Sequence, residues 1–340
     1  MRHIRCRGWV IAGVASAALL SLAQMPADAV AGSDPAVGAG ASAVADNAAS
    51  TSVSKTLKAD SASHIPEHQA SAAPRVRSSP GGGWDAGSPG TGDLDDAEGV
   101  QFGSPPPTGL RAPGASDVST QIVWGPDDRV RVFNTRQFPA RAIVYIIVEG
   151  SDGNYYRCTG YLYGPSIVGT AGHCVYFRAM GGWIVRAWVY PGQNGSESPF
   201  GYCQATKAHS VSGWVQDQDQ RFDYGALELN CTIGDTTGWF GTRWQPDPYD
   251  GNTAGLYGYP ADKQPSATMW GMLGPISDSY RYRLRYKIDT TGGQSGAPVY
   301  RPGCGNRCVI AIHASGGRKY NYATRIAKST FDNLMAWKYN

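Results

Sequence analysis

Apolar and polar positions alternate in short runs along the last two thirds of the chain, a pattern typical of β-strands. Runs rich in β-branched and aromatic residues predict strands over 141–148, 155–163, 166–170, 183–190 and 223–229. Turn sequences separate them, at Pro191-Gly192, Asn194-Gly195, Asp250-Gly251-Asn252 and Gly316-Gly317. Many short strands with such turns predict an all-β fold, either a sandwich or barrels.

Helical periodicity is persuasive only at the C-terminus. Between Thr324 and Lys338, apolar side chains recur at the spacing of one helix face, at Ile326, Phe331, Leu334 and Met335. We therefore predict one terminal helix that packs against the strand-rich region.

The N-terminus has the pattern of a secretory signal peptide. Residues 1–7 contain three arginines, an apolar stretch follows over 9–23, and Ala27-Asp28-Ala29 offers a small-residue cleavage site. A membrane anchor is the alternative, but the apolar run falls short of about 18 uninterrupted residues. We predict a signal peptide over 1–29, cut after Ala29 or Ala31, and a secreted mature protein without a membrane segment.

Composition changes again over 30–121, which is rich in Ala, Ser, Gly, Pro and Asp and poor in aromatic residues. Such a stretch buries too little apolar surface to offset the entropy of ordering it. We expect a largely disordered propeptide, with a surface-attachment linker as the alternative, followed by one folded domain over 122–340.

Three short motifs carry candidate chemistry. GGQSGAPVY at 292–300 places Ser295 between glycines, which let the backbone turn tightly and aim its N–H groups outward. TAGHC at 170–174 offers His173 as a base, and Asp223 opens an apolar strand. A serine beside outward-pointing N–H groups can be a nucleophile with an oxyanion hole, and the order His, Asp, Ser is that of the chymotrypsin-type triad.

Each motif alone has a plainer interpretation. Ser295 could lie in an ordinary turn, Asp223 could cap one, and His173 could be a buried structural histidine. A zinc site at Cys158, His173 and Cys174 is a further alternative, although the spacing matches no common zinc pattern. Because the three motifs occur together in order, we predict a triad of His173, Asp223 and Ser295, with no metal and no cofactor.

Charge and cysteine content narrow the class of protein. Lys and Arg number 30 against 27 Asp and Glu, which gives a net charge of +3. The sequence has no basic run that would favour a nucleic acid partner. Of seven cysteines, Cys6 lies in the predicted signal peptide, and six in an exported protein favour disulfides. Cys304 and Cys308 enclose a short loop and pair most simply with each other.

Ordered blocks from about Val123 to the C-terminus resemble a known family. These are 125–129, 141–144, 158–160, 170–174, 223–226, 258–260, 289–299, 311–313 and 331–334. They resemble the glutamyl endopeptidases, the V8-like branch of chymotrypsin-fold serine proteases, and especially the Bacillus members. The resemblance implies two six-stranded antiparallel β-barrels with a C-terminal helix and an active site between them. It also implies a monomer that cuts polypeptide substrates after Glu, and more slowly after Asp.

The resemblance also assigns individual residues. It pairs Cys158 with Cys174 and Cys304 with Cys308, which leaves Cys203 and Cys231 to pair. It implies that the N–H groups of Gly293 and Ser295 form the oxyanion hole. It further implies that Thr290 and His313 line the pocket for the substrate carboxylate.

Two other functions stay open. Asp289 lies shortly before Ser295, where trypsin carries the carboxylate that binds Arg or Lys, so cleavage after basic residues is one alternative. A secreted binding protein on a catalytically inactive scaffold is the other. Gln294 occupies the place of the Asp that pairs with the freed N-terminus in trypsin-like zymogens, so activation needs another contact or only relief of blockage. We expect the mature chain to begin between Asp117 and Trp124.

Overall fold

The strand-rich pattern is reflected in nineteen strands in the computed structural model, which describes residues 48–59, 77–79, 81–103, 110–113 and 122–340. The strands up to the end of the first barrel are β1 (Ser52–Thr56), β2 (Arg77–Ser79), β3 (Gly82–Asp85), β4 (Val130–Arg131), β5 (Ile143–Glu149), β6 (Tyr155–Gly164), β7 (Ile167–Thr170), β8 (Tyr176–Phe177), β9 (Gly182–Trp183), β10 (Arg186–Pro191), β11 (Cys203–Val211) and β12 (Gly225–Leu229). The later strands are β13 (Gly241–Trp244), β14 (Thr253–Gly258), β15 (Trp270–Ser279), β16 (Arg283–Tyr286), β17 (Pro298–Arg301), β18 (Cys308–Gly316) and β19 (Asn321–Arg325). The α-helices that lie wholly within these residues are α1 (Ser212–Val215), α2 (Ile233–Thr237) and α3 (Lys328–Tyr339).

The first barrel closes through six antiparallel strands in the order β5, β6, β7, β12, β11 and β10. Strands β7 and β12 pair with Thr170 opposite Gly225, so the end of β7 lies beside the start of β12. His173 follows β7 and Asp223 precedes β12. Barrel closure therefore brings these two distant segments to one end of the first barrel.

The second barrel closes in the same way, in the order β14, β15, β16, β19, β18 and β17. Strand β17 begins three residues after Ser295 and pairs with β18, with Pro298 opposite Ile312. Ser295 and His313 consequently lie at one end of this barrel. The two-barrel, all-β architecture expected above is confirmed.

Each barrel has its own apolar core, and an aromatic-rich cluster joins them. Strand β5 contributes to the core of the first barrel and to the shared cluster, because successive side chains on a strand point to opposite faces. Val144, Ile146 and Val148 enter the core of the first barrel. The alternate residues of β5 join the shared cluster, where the rings of Tyr145 and Tyr259 lie 5.3 Å apart. Burial on both faces explains why this strand is apolar from Ile143 to Val148.

Within 30–121, where a largely disordered segment was expected, the stretches that the structure describes include strands paired to the barrels. Strand β1 pairs along β11, from Ser52 opposite Val211 to Thr56 opposite Lys207. Strands β2 and β3 form a hairpin that pairs with β13. These stretches are too polar to fold by themselves, but the barrels supply partners for their backbone groups. Composition describes the segment alone and does not register such partners.

Asp85, at the end of β3, makes the most deeply buried contact of this segment. It is 1% exposed, and its carboxylate lies 2.6 Å from Lys338 Nζ and 2.8 Å from the Tyr339 hydroxyl, both in α3. A buried charge must be paired, so this contact ties β3 to the last turn of α3.

The predicted signal peptide over 1–29 lies outside the described residues. No helix among the described residues is long and apolar enough to span a membrane.

The terminal helix and the disulfides complete the domain. Helix α3 is confirmed but begins at Lys328 rather than Thr324, because Asn321–Arg325 continue the second barrel as β19. Phe331 and Leu334 are buried on its inner face. Disulfides join Cys158 to Cys174, Cys203 to Cys231 and Cys304 to Cys308.

Candidate active site

His173 and Asp223 are in direct contact at the end of the first barrel. His173 lies in a short 3-10 turn, Gly172–Cys174, directly after β7. Its Nδ1 is 2.8 Å from Asp223 Oδ2, and its backbone N–H donates to Oδ1 of the same carboxylate at 2.8 Å. Both residues are buried, at 8% and 3% exposure. Because a carboxylate only accepts, Nδ1 carries the proton and Nε2 is free to act as a base.

Ser295 lies on the turn that leads into β17, packed against the first barrel. Its carbonyl accepts from the Thr159 N–H at 2.9 Å and lies 3.8 Å from Cys174 Sγ, next to His173. Gly296 allows this approach, since its φ is +87° and a Cβ there would lie 2.1 Å from the Thr159 carbonyl. The structure thus brings the serine turn to the pair formed by His173 and Asp223.

Gly293 orients the loop before the serine. Its φ of +97° and the Tyr259 carbonyl, 2.5 Å from a would-be Cβ, leave room only for glycine. The preceding carbonyl, that of Gly292, accepts from the Ala261 N–H at 2.7 Å. A trans peptide points its C=O and N–H in opposite directions, so the Gly293 N–H points away from Ala261. It has no acceptor among the residues that the structure describes.

Thr290 and His313 lie in the second barrel beside the serine turn, and each has a buried polar side-chain atom. Thr290 Oγ1 and His313 Nε2 have no hydrogen-bond partner in the described part of the chain, and both residues are 0% exposed. The Tyr286 hydroxyl lies 2.6 Å from His313 Nδ1. When that hydroxyl donates, Nδ1 is the acceptor and Nε2 carries the proton. Burial, with a smaller effect from the charge of His173, lowers the pKa of His313 to about 3, and an interaction with the Tyr322 backbone opposes this shift.

Asp289 is occupied by the segment that precedes the first barrel. It is 2% exposed, and its two carboxylate oxygens accept the backbone N–H groups of Trp124 at 3.0 Å and Asp128 at 3.1 Å. Ile122 is held next to it, because its N–H donates to Asn321 Oδ1 and its carbonyl accepts from the Thr290 N–H. Residues 122–128 therefore lie along the wall that carries Thr290.

Residues 110–113 lie on the other side of the serine loop. The Arg111 carbonyl accepts from the Arg157 N–H at 2.8 Å, and Ala112 is buried. A Cβ on Gly292 would lie 3.3 Å from Ala112 Cβ, so the segment contacts the loop that carries Ser295. The expected start of the mature chain falls mostly on residues 117–121, which lie outside the described residues.

Sequence analysis missed several residues that position this site. Thr159 supports two loops, since its hydroxyl donates to the Gly293 carbonyl and accepts from the Tyr259 N–H. Arg129 reaches Gln294 beside the serine, and Tyr286 contacts His313. The block at 125–129 contains Arg129, but a sequence block does not reveal what a side chain contacts.

The alternative zinc site is ruled out at its thiols, because Cys158 and Cys174 are joined in a disulfide. Among the described residues, no group of three or more His, Cys, Asp or Glu side chains is arranged to hold a metal ion.

Comparison with known proteins places this geometry in a family. The trypsin family matches residues 131–329. A glutamyl endopeptidase of Bacillus licheniformis is 42% identical over 236 residues, covering 67% of this chain and 72% of the relative. A Bacillus subtilis protein named extracellular metalloprotease is 40% identical over 218 residues, covering 63% and 69%. A solved structure of a Glu endopeptidase in complex with MPD superposes with a TM-score of 0.60 at 28% identity, covering 64% of this chain and 100% of that chain.

Proposed function

Because the chain is a serine endopeptidase of the trypsin family, in its glutamyl endopeptidase branch, we propose that it cuts polypeptides after Glu by a triad of His173, Asp223 and Ser295. The contact between His173 Nδ1 and Asp223 Oδ2 supports this assignment, since it leaves Nε2 as the base. The position of Ser295 on a tight turn beside Cys174 supports its role as the nucleophile.

The reaction proceeds in two steps. Ser295 Oγ attacks the scissile carbonyl while His173 takes its proton, and His173 then protonates the leaving amine. Water hydrolyses the resulting acyl-enzyme with the same base. Asp223 holds the imidazole tautomer and stabilises the imidazolium. The N–H groups of Gly293 and Ser295 receive the oxyanion, and loss of one such donor typically costs about 10²–10³ in rate.

The preference for Glu rests on one observation, the pair of buried polar groups at Thr290 and His313 that lack partners in the described chain. An orphaned buried hydrogen-bonding group costs free energy unless a ligand satisfies it. A hydroxyl and an imidazole N–H are both donors, and a carboxylate is an acceptor only. A Glu side chain at the residue before the cut would satisfy both.

Cleavage after Arg or Lys is the weaker alternative. It requires Asp289 to face a substrate cation, but both oxygens of this carboxylate accept backbone N–H groups from residues 122–128. The Bacillus licheniformis relative is named a glutamyl endopeptidase, which agrees with a preference for Glu over Arg or Lys.

We also propose that the enzyme is secreted as an inactive precursor, with residues 1–29 as signal peptide and 30–121 as propeptide. Contact of Ala112 with the serine loop supports blockage of the cleft by this segment. Because Ile122 and Trp124 are held by Asn321 and Asp289, the cut that starts the mature chain falls before Ile122. N-terminal sequencing of the active enzyme tests this, and a mature start upstream of Arg111 would contradict it.

Three measurements test the activity and its specificity. A fluorophosphonate probe should label wild-type enzyme at Ser295 and abolish turnover, whereas the folded Ser295→Ala variant should be neither labelled nor active. Chelators should leave activity unchanged, whereas they would inhibit a metalloprotease, as the Bacillus subtilis relative is named. Mass spectrometry of peptides cut from a denatured protein should show Glu before most cuts and Asp before slower ones. Cuts only after Arg or Lys would refute the Glu preference and keep the serine mechanism.

A further inference from the structure

We propose that Arg129 is a positioning residue that holds the oxyanion loop in its working conformation through Gln294 and Thr291; the inference rests on the proposed serine mechanism. The loop consists of Thr291, Gly292, Gly293 and Gln294, directly before Ser295. Two consecutive glycines give it more backbone freedom than any other residue pair, so an external contact must select one conformation.

Arg129 contacts both ends of this loop. Its Nη1 donates to Thr291 Oγ1 at 2.9 Å and to Gln294 Oε1 at 3.1 Å. Gln294 Oε1 also accepts from the Thr291 N–H at 3.0 Å, so the guanidinium and the amide close the turn. Gln294 is 0% exposed, and solvent does not compete for these contacts.

The rest of the guanidinium is anchored by carboxylates outside the loop. Nε and Nη2 donate to Asp127 at 2.9 and 2.8 Å, and Nη2 donates to Asp262 Oδ2 at 2.6 Å. The Arg129 side chain is 0% exposed. All five N–H groups of the guanidinium are therefore used. Nη1 also lies 3.2 Å from Asp262 Oδ1, but its two shorter contacts are to the loop, and a Lys could not make this set of bonds.

The contact with Arg129 explains how a chain with Gln294 before the serine can order its oxyanion loop. Trypsin-like zymogens position the same loop with an Asp that pairs with a newly freed N-terminus, and this chain has Gln294 there instead. Arg129 supplies the positive charge from within the chain. Its bonds are formed while residues 110–113 still lie against the loop, so they do not depend on a new N-terminus. Processing then has only to clear the cleft.

The test compares two peptide inhibitors with Glu at the residue before the cut. A peptide aldehyde forms a tetrahedral adduct with serine and needs the oxyanion hole, whereas the matched peptide alcohol has no carbonyl and does not. In Arg129→Met, kcat and aldehyde affinity should each fall about 10- to 100-fold, because a misplacement of ~1 Å at a catalytic group costs about that much. KM and alcohol affinity should change less than about 3-fold, a split that general damage to the fold does not produce. Arg129→Lys should lose less activity than Arg129→Met.

Arg131→Met is the matched control, since Arg131 lies two residues away and donates to Asn194 rather than to the loop. It should keep wild-type kcat and aldehyde affinity. If Arg129→Met does not fold, Gln294→Met removes the same contact from the loop side and should show the same split. The inference would be overturned if either folded variant lost affinity for the aldehyde and the alcohol equally, or if its aldehyde affinity were unchanged. A wild-type enzyme that binds no aldehyde would refute the proposed serine mechanism itself.

Discussion

Replacement of Thr290 by Val should weaken catalysis on Glu substrates and leave the fold as stable as before or more so. The two side chains have nearly the same shape, so the change removes one hydroxyl and little packing. Thr290 Oγ1 is buried with no partner among the described residues. The backbone contact of Thr290, from its N–H to the Ile122 carbonyl at 3.3 Å, is unaffected by the substitution.

The two effects have separate magnitudes. A hydrogen bond to a charged group is worth about 1.5–3 kcal/mol, which corresponds to a loss of about 10- to 150-fold in kcat/KM on a Glu peptide. A Gln peptide of the same shape makes a neutral hydrogen bond and should lose about 2- to 10-fold. Removal of a buried, unsatisfied hydroxyl should raise the free energy of unfolding by up to about 1 kcal/mol.

The assay measures kcat/KM on matched peptides with Glu, Gln or Leu before the cut, with Leu as the substrate that cannot use the hydroxyl. Stability is measured by chemical denaturation in a Ser295→Ala background, which prevents self-digestion. Equal losses on all three peptides, together with a decrease in unfolding free energy of more than about 1 kcal/mol, would refute the role of Thr290 as a carboxylate donor. That result would make it a structural residue of the barrel.

Three further predictions concern the stability of the domain. Asp289→Asn should reduce the unfolding free energy by about 1–3 kcal/mol, because one of two charge-assisted bonds to residues 122–128 is lost; denaturation checks this, and selective loss of cleavage after Arg or Lys would contradict it. The depressed pKa of His313, about 3 against 6.5 when unfolded, means that the unfolded chain binds an extra proton between these values. Stability should therefore fall as pH drops from 6.5 towards 3, by up to about 1.4 kcal/mol per pH unit from this group, and His313→Asn should flatten that slope in denaturation curves. Replacing both Cys203 and Cys231 by Ser, which opens a loop with a sequence separation of 28, should cost about 3.5 kcal/mol of unfolding free energy, whereas a loss below about 1 kcal/mol would show that the cross-link is not a stabilising one.

The all-β class and the candidate triad were accessible from the sequence because local patterns encode them, whereas the two-barrel architecture was expected from the resemblance to glutamyl endopeptidases. Strand β5 is apolar from Ile143 to Val148 since both its faces are buried there, and the turn at Ser295 requires glycines whose positions are visible in the chain. His173, Asp223 and Ser295 lie in short motifs whose order indicates a known chemistry. The helix boundary was misplaced because Asn321–Arg325 belong to a barrel that only non-local pairing defines.

The order of the N-terminal stretches could not be predicted from composition. β1 and β3 become strands only because β11 and β13 present unpaired backbone groups to them, and Asp85 can be buried only because Lys338 meets it. Asp289 is similar, since sequence spacing suggested a substrate contact whereas the folded chain places the N–H groups of Trp124 and Asp128 on it.

The sequence by itself determined several strands of the first barrel and which residues have reactive chemistry, because periodicity and residue type are local properties. Tertiary structure alone decided which charges are satisfied and which polar groups are left without a partner. Arg129 reaches Gln294, and Thr290 and His313 lack partners in the described chain, only because barrel closure brings distant segments together and removes water from between them. Contacts across 165 positions of the chain are set by packing and not by any pattern within a segment.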